Sequence, residues 1–254
     1  MILERIYELA LPKLSGKRIR EVRVGLNLLM VELDDGSLGV TYVLRDDIGH
    51  GCTAIPEAGQ LLGKDAKEIA EWALKGKNVL PVAIGLAILN SVAEFDKLEQ
   101  IDNLQDADAM FAVETKPTDT VGMIGYIGPL ITNLKGKVKN LLVFERGECS
   151  EGVYPETREP DLLPECQVVY ISSTSLINGT LEKLLTYCSR ARDVVMVGSS
   201  TPMYPEAFQG SGVTVLSGTR WLSANREAIF QGVSQCAGMW QLIKNGQKMS
   251  VRVK

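Results

Sequence analysis

Thr120-Val121-Gly122-Met123-Ile124-Gly125-Tyr126-Ile127-Gly128-Pro129 reads as a short buried strand that runs through a glycine turn into the start of a helix. Apolar runs of the same kind recur at Leu141–Glu145, Val168–Ser172, Val194–Gly198 and Val213–Leu216. Helical patterns fall between most of them, near Pro129–Lys137, Thr180–Arg190 and Tyr204–Gln209, with another at Ser223–Ala237 after the last. Continuous Val/Ile/Leu runs alternating with helices predict a parallel sheet covered on both faces, a Rossmann-like domain.

Ligands of such sheets bind at the carboxyl ends of the strands, so the strand-to-helix loops hold the candidate site. Gly125 and Gly128 let the backbone approach a ligand, and Pro129 suits a first helical position. The free N–H groups of that helix start favour an anion. Met123 stands where a dinucleotide fingerprint places its first glycine, so only the G-x-x-G half is present. Glu145 closes the second strand about 20 residues on, where an acid accepts from ribose hydroxyls. Asn178 and Thr180 follow the third strand, and Ser200 and Thr201 follow the fourth, all candidate polar contacts. Asn178 or Thr180 also suits a plain N-cap, yet a cap needs one such residue and the loop 172–180 carries six, which favours a ligand contact. Ser217-Gly218-Thr219-Arg220 adds a cation after the fifth. The expected crevice is rich in hydrogen-bond donors with few ionised groups, suited to a polar or anionic small molecule.

Residues ahead of this domain read differently. A helix over residues 3–14 precedes three β-rich runs at Arg18–Leu26, Leu28–Leu33 and Ser37–Leu44, with Asp35-Gly36 as a hairpin turn. Helices follow at Lys64–Lys75 and Pro81–Ala93, the second apolar nearly all round and therefore central. Arg45, Asp46, Asp47 and His50 gather at the end of the third run, an acid/base or clamping set if that loop faces the crevice. Residues 94–119 hold eight acids against two lysines and read as a solvated connector. The predicted architecture is α/β: an α+β domain over 1–98 and the Rossmann-like domain over 99–254.

Composition narrows the function. The chain has 254 residues, a net charge of −4 and no block of Lys or Arg, which leaves nucleic acid little to bind. Its longest apolar stretch, Val79–Ala93, is interrupted by Pro81, Gly85, Asn90 and Ser91, so no membrane span is expected. Five dispersed cysteines with no C-x-x-C pair suit a reducing, cytoplasmic setting. A single histidine argues against a multi-histidine metal cage and against a local catalytic triad. Cys149 and Cys166 bound a proline-bearing segment that replaces the expected helix between strands two and three. They are weak candidate ligands for a soft metal, and the segment is a candidate lid.

The pattern resembles the DUF364 proteins, the heavy-metal chelation domain family, with a DUF4213 domain at the N-terminus. The resemblance rests on Val24-Gly25 and Thr41-Tyr42 in the first part. In the second it rests on Gly125 to Pro129, Phe144-Glu145-Arg146, Thr174 to Glu182 and Gly198 to Pro202. It implies an enolase N-terminal-like domain joined to a Rossmann-like one, a site in the cleft between them, and a role in handling metals or metal chelators. The expected partner is a small-molecule ligand, with a homodimer as a candidate assembly. Three readings follow: a binder of a polar molecule or metal chelate; an enzyme using an adenosine-containing cofactor of the S-adenosylmethionine or nicotinamide type; and a thiolate/carboxylate carrier of a heavy-metal ion.

Overall fold

A computed structural model of the chain describes residues 1–49, 52–101, 108–147 and 151–254. The N-terminal strands are β1 (Ile19–Val24), β2 (Leu28–Leu33) and β3 (Leu38–Tyr42), an antiparallel meander in the order β1-β2-β3. Side chains alternate across a strand, and here both faces are covered. Leu29, Val31 and Leu33 face a core shared with the helix Val79–Ser91, while Leu28, Met30, Leu38 and Val40 pack with Ile229, Phe230 and Val233 of the helix Arg226–Ser234. Every residue of β2 is therefore buried, including Glu32.

The helix Val79–Ser91 is central, as its all-round apolarity predicts. Leu80 through Asn90 are buried except where Pro81 is partly exposed, and Asn78 caps its start by accepting from the Leu80 N–H at 3.1 Å.

The large sheet has the order β10-β9-β8-β7-β4-β5-β6. Its strands are β4 (Thr120–Ile124), β5 (Asn140–Glu145), β6 (Val153–Pro155), β7 (Val168–Ser172), β8 (Asp193–Val197), β9 (Val215–Trp221) and β10 (Gly246–Arg252). Strands β4 to β9 run parallel and β10 is antiparallel to β9. Read from β6, the six parallel strands follow the order of the doubly wound dinucleotide-binding fold. Two strands lie outside the sequence reading. Strand β6 is three residues ending in a proline, and β10 is a polar edge strand without an apolar run. The segment read as a candidate lid thus contributes an edge strand, and Leu163 and Cys166 beyond it are buried. Arg220 is part of β9 and not of a loop; its guanidinium pairs with Asp96 at 2.7 Å and lies 3.5 Å from Glu99.

The described residues of the acidic stretch are tied down at several points. A helix spans Phe95–Ile101 and another Ala109–Ala112, with Ala109, Ala112 and Val113 buried in the sheet's second core. Glu94 pairs with Lys13 at 2.7 Å, and the buried Asp119 accepts from Arg192 at 3.0 Å. These acids meet cations supplied by other segments, which a solvated connector does not require. One hydrophobic cluster runs from Ile2, Ile6 and Leu89 through to Ile171, Leu181 and Met196, so apolar packing is continuous between the two sheets. No helix among the described residues is long and apolar enough to cross a membrane.

Candidate functional site

Strands β4 and β7 are neighbours, and the chain leaves them toward opposite sides of the sheet. Their carboxyl ends form the topological switch point at which doubly wound folds bind ligands. A small cavity of about 60 Å³ opens there. Its lining includes Gly125 after β4, Glu145 and Arg146 at the end of β5, Thr174, Ser175, Asn178 and Thr180 after β7, and Glu156 and Glu159 from the segment after β6.

Gly125 has φ +91°, and a Cβ there would sit 3.1 Å from Ser172 Cβ, so glycine gives the loop its turn at the cavity wall. Glu145 braces that same loop: Oε2 accepts from the Tyr126 N–H at 2.8 Å and Oε1 from the Arg146 N–H at 2.9 Å. Asn178 Oδ1 accepts from the Thr180 hydroxyl at 2.8 Å and from the Thr180 N–H at 3.3 Å, while the Ser172 and Thr174 hydroxyls bond each other at 2.8 Å. Ser175 is 3 % exposed, and its hydroxyl has no hydrogen-bond partner among the described residues.

Arg146 reaches the other half of the molecule. Its Nη1 and Nη2 donate to the two carboxylate oxygens of Asp47 at 2.6 and 3.0 Å, a bidentate pair, and its Nε lies 3.5 Å from Glu156. The loop after β3 therefore faces the crevice through Asp47. Arg45 and Asp46 do not take that position: they pair with each other at 3.7 Å, and both are largely exposed. His50 lies outside the described residues.

Ser200 and Thr201 are placed differently from a ligand contact. Ser200 Oγ accepts from the Tyr42 N–H at 2.8 Å and its carbonyl from Asn90 Nδ2 at 3.2 Å, so this residue fastens β3 and the central helix to the loop after β8. Both are buried and absent from the cavity wall. Gly128 begins a helix of seven residues and also lies off the wall. Of the expected contacts, the fold gathers Gly125, Glu145, Asn178 and Thr180. It adds Glu156 and Glu159, whose signal in the sequence is only a pair of acids in an aperiodic segment.

The crevice is consequently acidic, not sparsely charged. Glu159 is the group most affected: burial, and then the neighbouring charge of Glu156, push its carboxyl up to about 7, with Lys183 acting in the opposite direction.

Among the described residues, no three His, Cys, Asp or Glu side chains come together as a metal-holding group. Cys166 is buried, its Sγ donates to the Leu162 carbonyl at 3.6 Å, and burial pushes its thiol up to about 12. Burial does the same to Cys188. Both are thus buried thiols, and Cys149 lies outside the described residues. Cys52 and Cys236 are exposed. Among these four thiols, a maleimide at about pH 8 is expected to label Cys52 and Cys236 in the native protein, and Cys166 and Cys188 only after unfolding. Peptide mass mapping reads this directly, and native labelling of Cys166 would contradict its burial.

Comparison with known proteins agrees with this architecture. Residues 108–252 match the family DUF364 and residues 7–93 match DUF4213, each described as "Putative heavy-metal chelation". An uncharacterized protein of Methanocaldococcus jannaschii is 27% identical over 241 residues, covering 91% of this chain and 90% of its own. A DUF364-family protein of unknown function from Pyrococcus horikoshii superposes with a TM-score of 0.83 at 23% identity, covering 100% of both chains. Another from Desulfitobacterium hafniense gives 0.77 at 24% identity and 98% coverage of both. At these identities the two crystal structures speak for the fold. With a family match across the whole large sheet, this chain belongs to the DUF364 family.

Proposed function

We propose that the chain binds a polar small molecule or a metal chelate at the switch point of the large sheet, in the cleft closed on one side by the loop after β3. The observation that carries this reading is the convergence of Gly125, Glu145, Asn178 and Thr180 on one cavity, with Arg146 beside them held by Asp47 from the other sheet's loop. The family description points to heavy metals, and we favour a chelate over a bare ion because the described thiols and carboxylates form no metal-holding cluster. In this reading the protein's residues orient an organic ligand by hydrogen bonds, and any metal arrives inside that ligand.

A second reading, an enzyme using an adenosine-containing cofactor, draws on Glu145 at the end of the strand beside β4, where dinucleotide folds hold a ribose. The carboxylate there already accepts from two backbone N–H groups, which leaves it less to offer a sugar.

Thermal-shift titration separates the two. Nickel and copper chelates of lysine, whose side-chain ammonium stays off the metal, S-adenosylmethionine and NAD are the probes, with the free metal salts as controls. The expected result is stabilisation by a lysine chelate beyond that of its salt, abolished by Asn178→Ala. Stabilisation by S-adenosylmethionine or NAD that is lost in Glu145→Ala supports the second reading instead. A shift produced equally by the salts alone overturns the chelate reading.

A further inference from the structure

We propose that the part of the ligand entering the switch-point cavity carries a positive charge on nitrogen, as an ammonium or guanidinium group, and is not a phosphate. This rests on the ligand site proposed above and adds the charge and size of the group received there.

Glu145, Glu156 and Glu159 line the cavity against one guanidinium, Arg146. That guanidinium is already in a bidentate pair with Asp47 and lies beside Glu156. A phosphate entering here would meet an excess of like charge at short range, and in a partly desolvated site such repulsion is weakly screened.

The loop donors point the same way. In phosphate-binding sheets the backbone N–H groups after the first strand face the anion. Here the Tyr126 N–H donates to Glu145 instead, so a carboxylate from the protein occupies the place of the phosphate oxygen.

An independent observation comes from Ser175. Its hydroxyl is buried in the wall of this cavity with no partner among the described residues, and an unpartnered buried hydroxyl costs about 1–3 kcal/mol. The hydroxyl accepts from a ligand N–H or donates to a ligand oxygen, so it marks a ligand here, and the charge of that ligand is set by the glutamates. The cavity's volume of about 60 Å³ suits an ammonium or guanidinium group.

Glu159 couples the site to pH. The charged and titratable groups around it are Glu156 on its own segment, Glu145 and Arg146 at the end of β5, Lys183 on the helix Leu181–Tyr187, and Cys188 just after that helix. Burial and Glu156 hold its carboxyl at about 7, so near neutrality it is partly protonated. A bound cation favours the carboxylate, releases that proton, and is itself bound more tightly as pH rises through this range.

A matched set of probes on the full chain tests the proposal: 2-amino-1,3-propanediol, glycerol and glycerol 2-phosphate share a skeleton and differ in the charge at one carbon. Titration followed by ligand-observed NMR at about pH 7.5 is expected to give the aminodiol an affinity about tenfold above glycerol, with no saturation by the phosphate. At about pH 5.5 the aminodiol should bind about threefold more weakly, and Glu156→Gln with Glu159→Gln should weaken it about tenfold. Glu156→Gln alone changes a half-exposed side chain and serves if the double variant folds poorly. Glycerol 2-phosphate binding as tightly as the aminodiol overturns the charge assignment and leaves the ligand site standing. Binding of none of the three, or aminodiol binding indifferent to these substitutions, overturns both.

Discussion

Gly39→Ala should destabilise the chain by about 3 kcal/mol, lowering the melting temperature by about 6–12 °C for a protein of this size. The reason lies in how closely β3 and the helix Val79–Ser91 approach. A Cβ at position 39 would fall 1.8 Å from the carbonyl oxygen of Ala87, 2.8 Å from its carbonyl carbon and 3.0 Å from the Ser91 nitrogen. All three are backbone atoms, so no rotamer change relieves the clash. The helix would have to lift from the sheet, where the Thr41 hydroxyl donates to the Ala83 carbonyl at 2.9 Å. Its opposite side is equally tight, because a Cβ on Gly85 would lie 2.2 Å from the Ala73 nitrogen. Gly85 is the sharper control. In an exposed helix, replacing glycine with alanine gains about 1 kcal/mol, so a loss on Gly85→Ala isolates the packing cost from propensity. Chemical denaturation reads both variants, and a change below about 1 kcal/mol for Gly39→Ala would mean the helix rides further from the sheet than the structure places it.

The closeness of that contact explains what could be read in advance. Strands β4, β5, β7 and β8 carry continuous apolar runs because both faces are covered, and such runs survive in a sequence without knowledge of their neighbours. The apolar helix Val79–Ser91 announces its own burial for the same reason. Strand β10 pairs along its whole length with β9 yet reads Gly-Gln-Lys-Met-Ser-Val-Arg, because an edge strand needs only one apolar side. Strand β6 exists through its pairing with β5, and a three-residue run has no period to detect.

Loop chemistry was less legible than strand chemistry. Hydroxyls after β8 and after β7 look alike in sequence, since a serine can bond a ligand or a distant backbone equally well. Ser200 took the backbone of Tyr42, 158 residues away, whereas Asn178 and Thr180 bond each other beside the cavity. Asp47, and not Asp46, reaches Arg146, a choice of one residue set by the turn Arg45–Asp47. Glu156 and Glu159 follow an aperiodic stretch, and their place in the site depends on where β6 docks.

Replacing Arg226 with methionine should cost about 3 kcal/mol, because it strands a buried charge. Glu32 is 1 % exposed on β2, and its Oε1 accepts from Arg226 Nε at 2.7 Å. The other oxygen has no hydrogen-bond partner among the described residues, and the remaining cation, Arg20, stands 3.4 Å from Oε1 with its side chain 55% exposed. Glu32 is buried only because the helix Arg226–Ser234 covers the second face of the small sheet, so the charge and its partner arrive together. Arg226 also stacks 4.3 Å from the Phe230 ring, which methionine replaces in part with its own aliphatic contact. The discriminating measurement is the double-mutant cycle with Glu32→Gln. Neutralising Glu32 removes most of the penalty, so the double variant should lie within about 1 kcal/mol of Glu32→Gln alone, giving a coupling of about 2 kcal/mol. If the losses simply add, the pair is no more than a surface contact. The helix Arg226–Ser234 then owes its place to Ile229, Phe230 and Val233 alone.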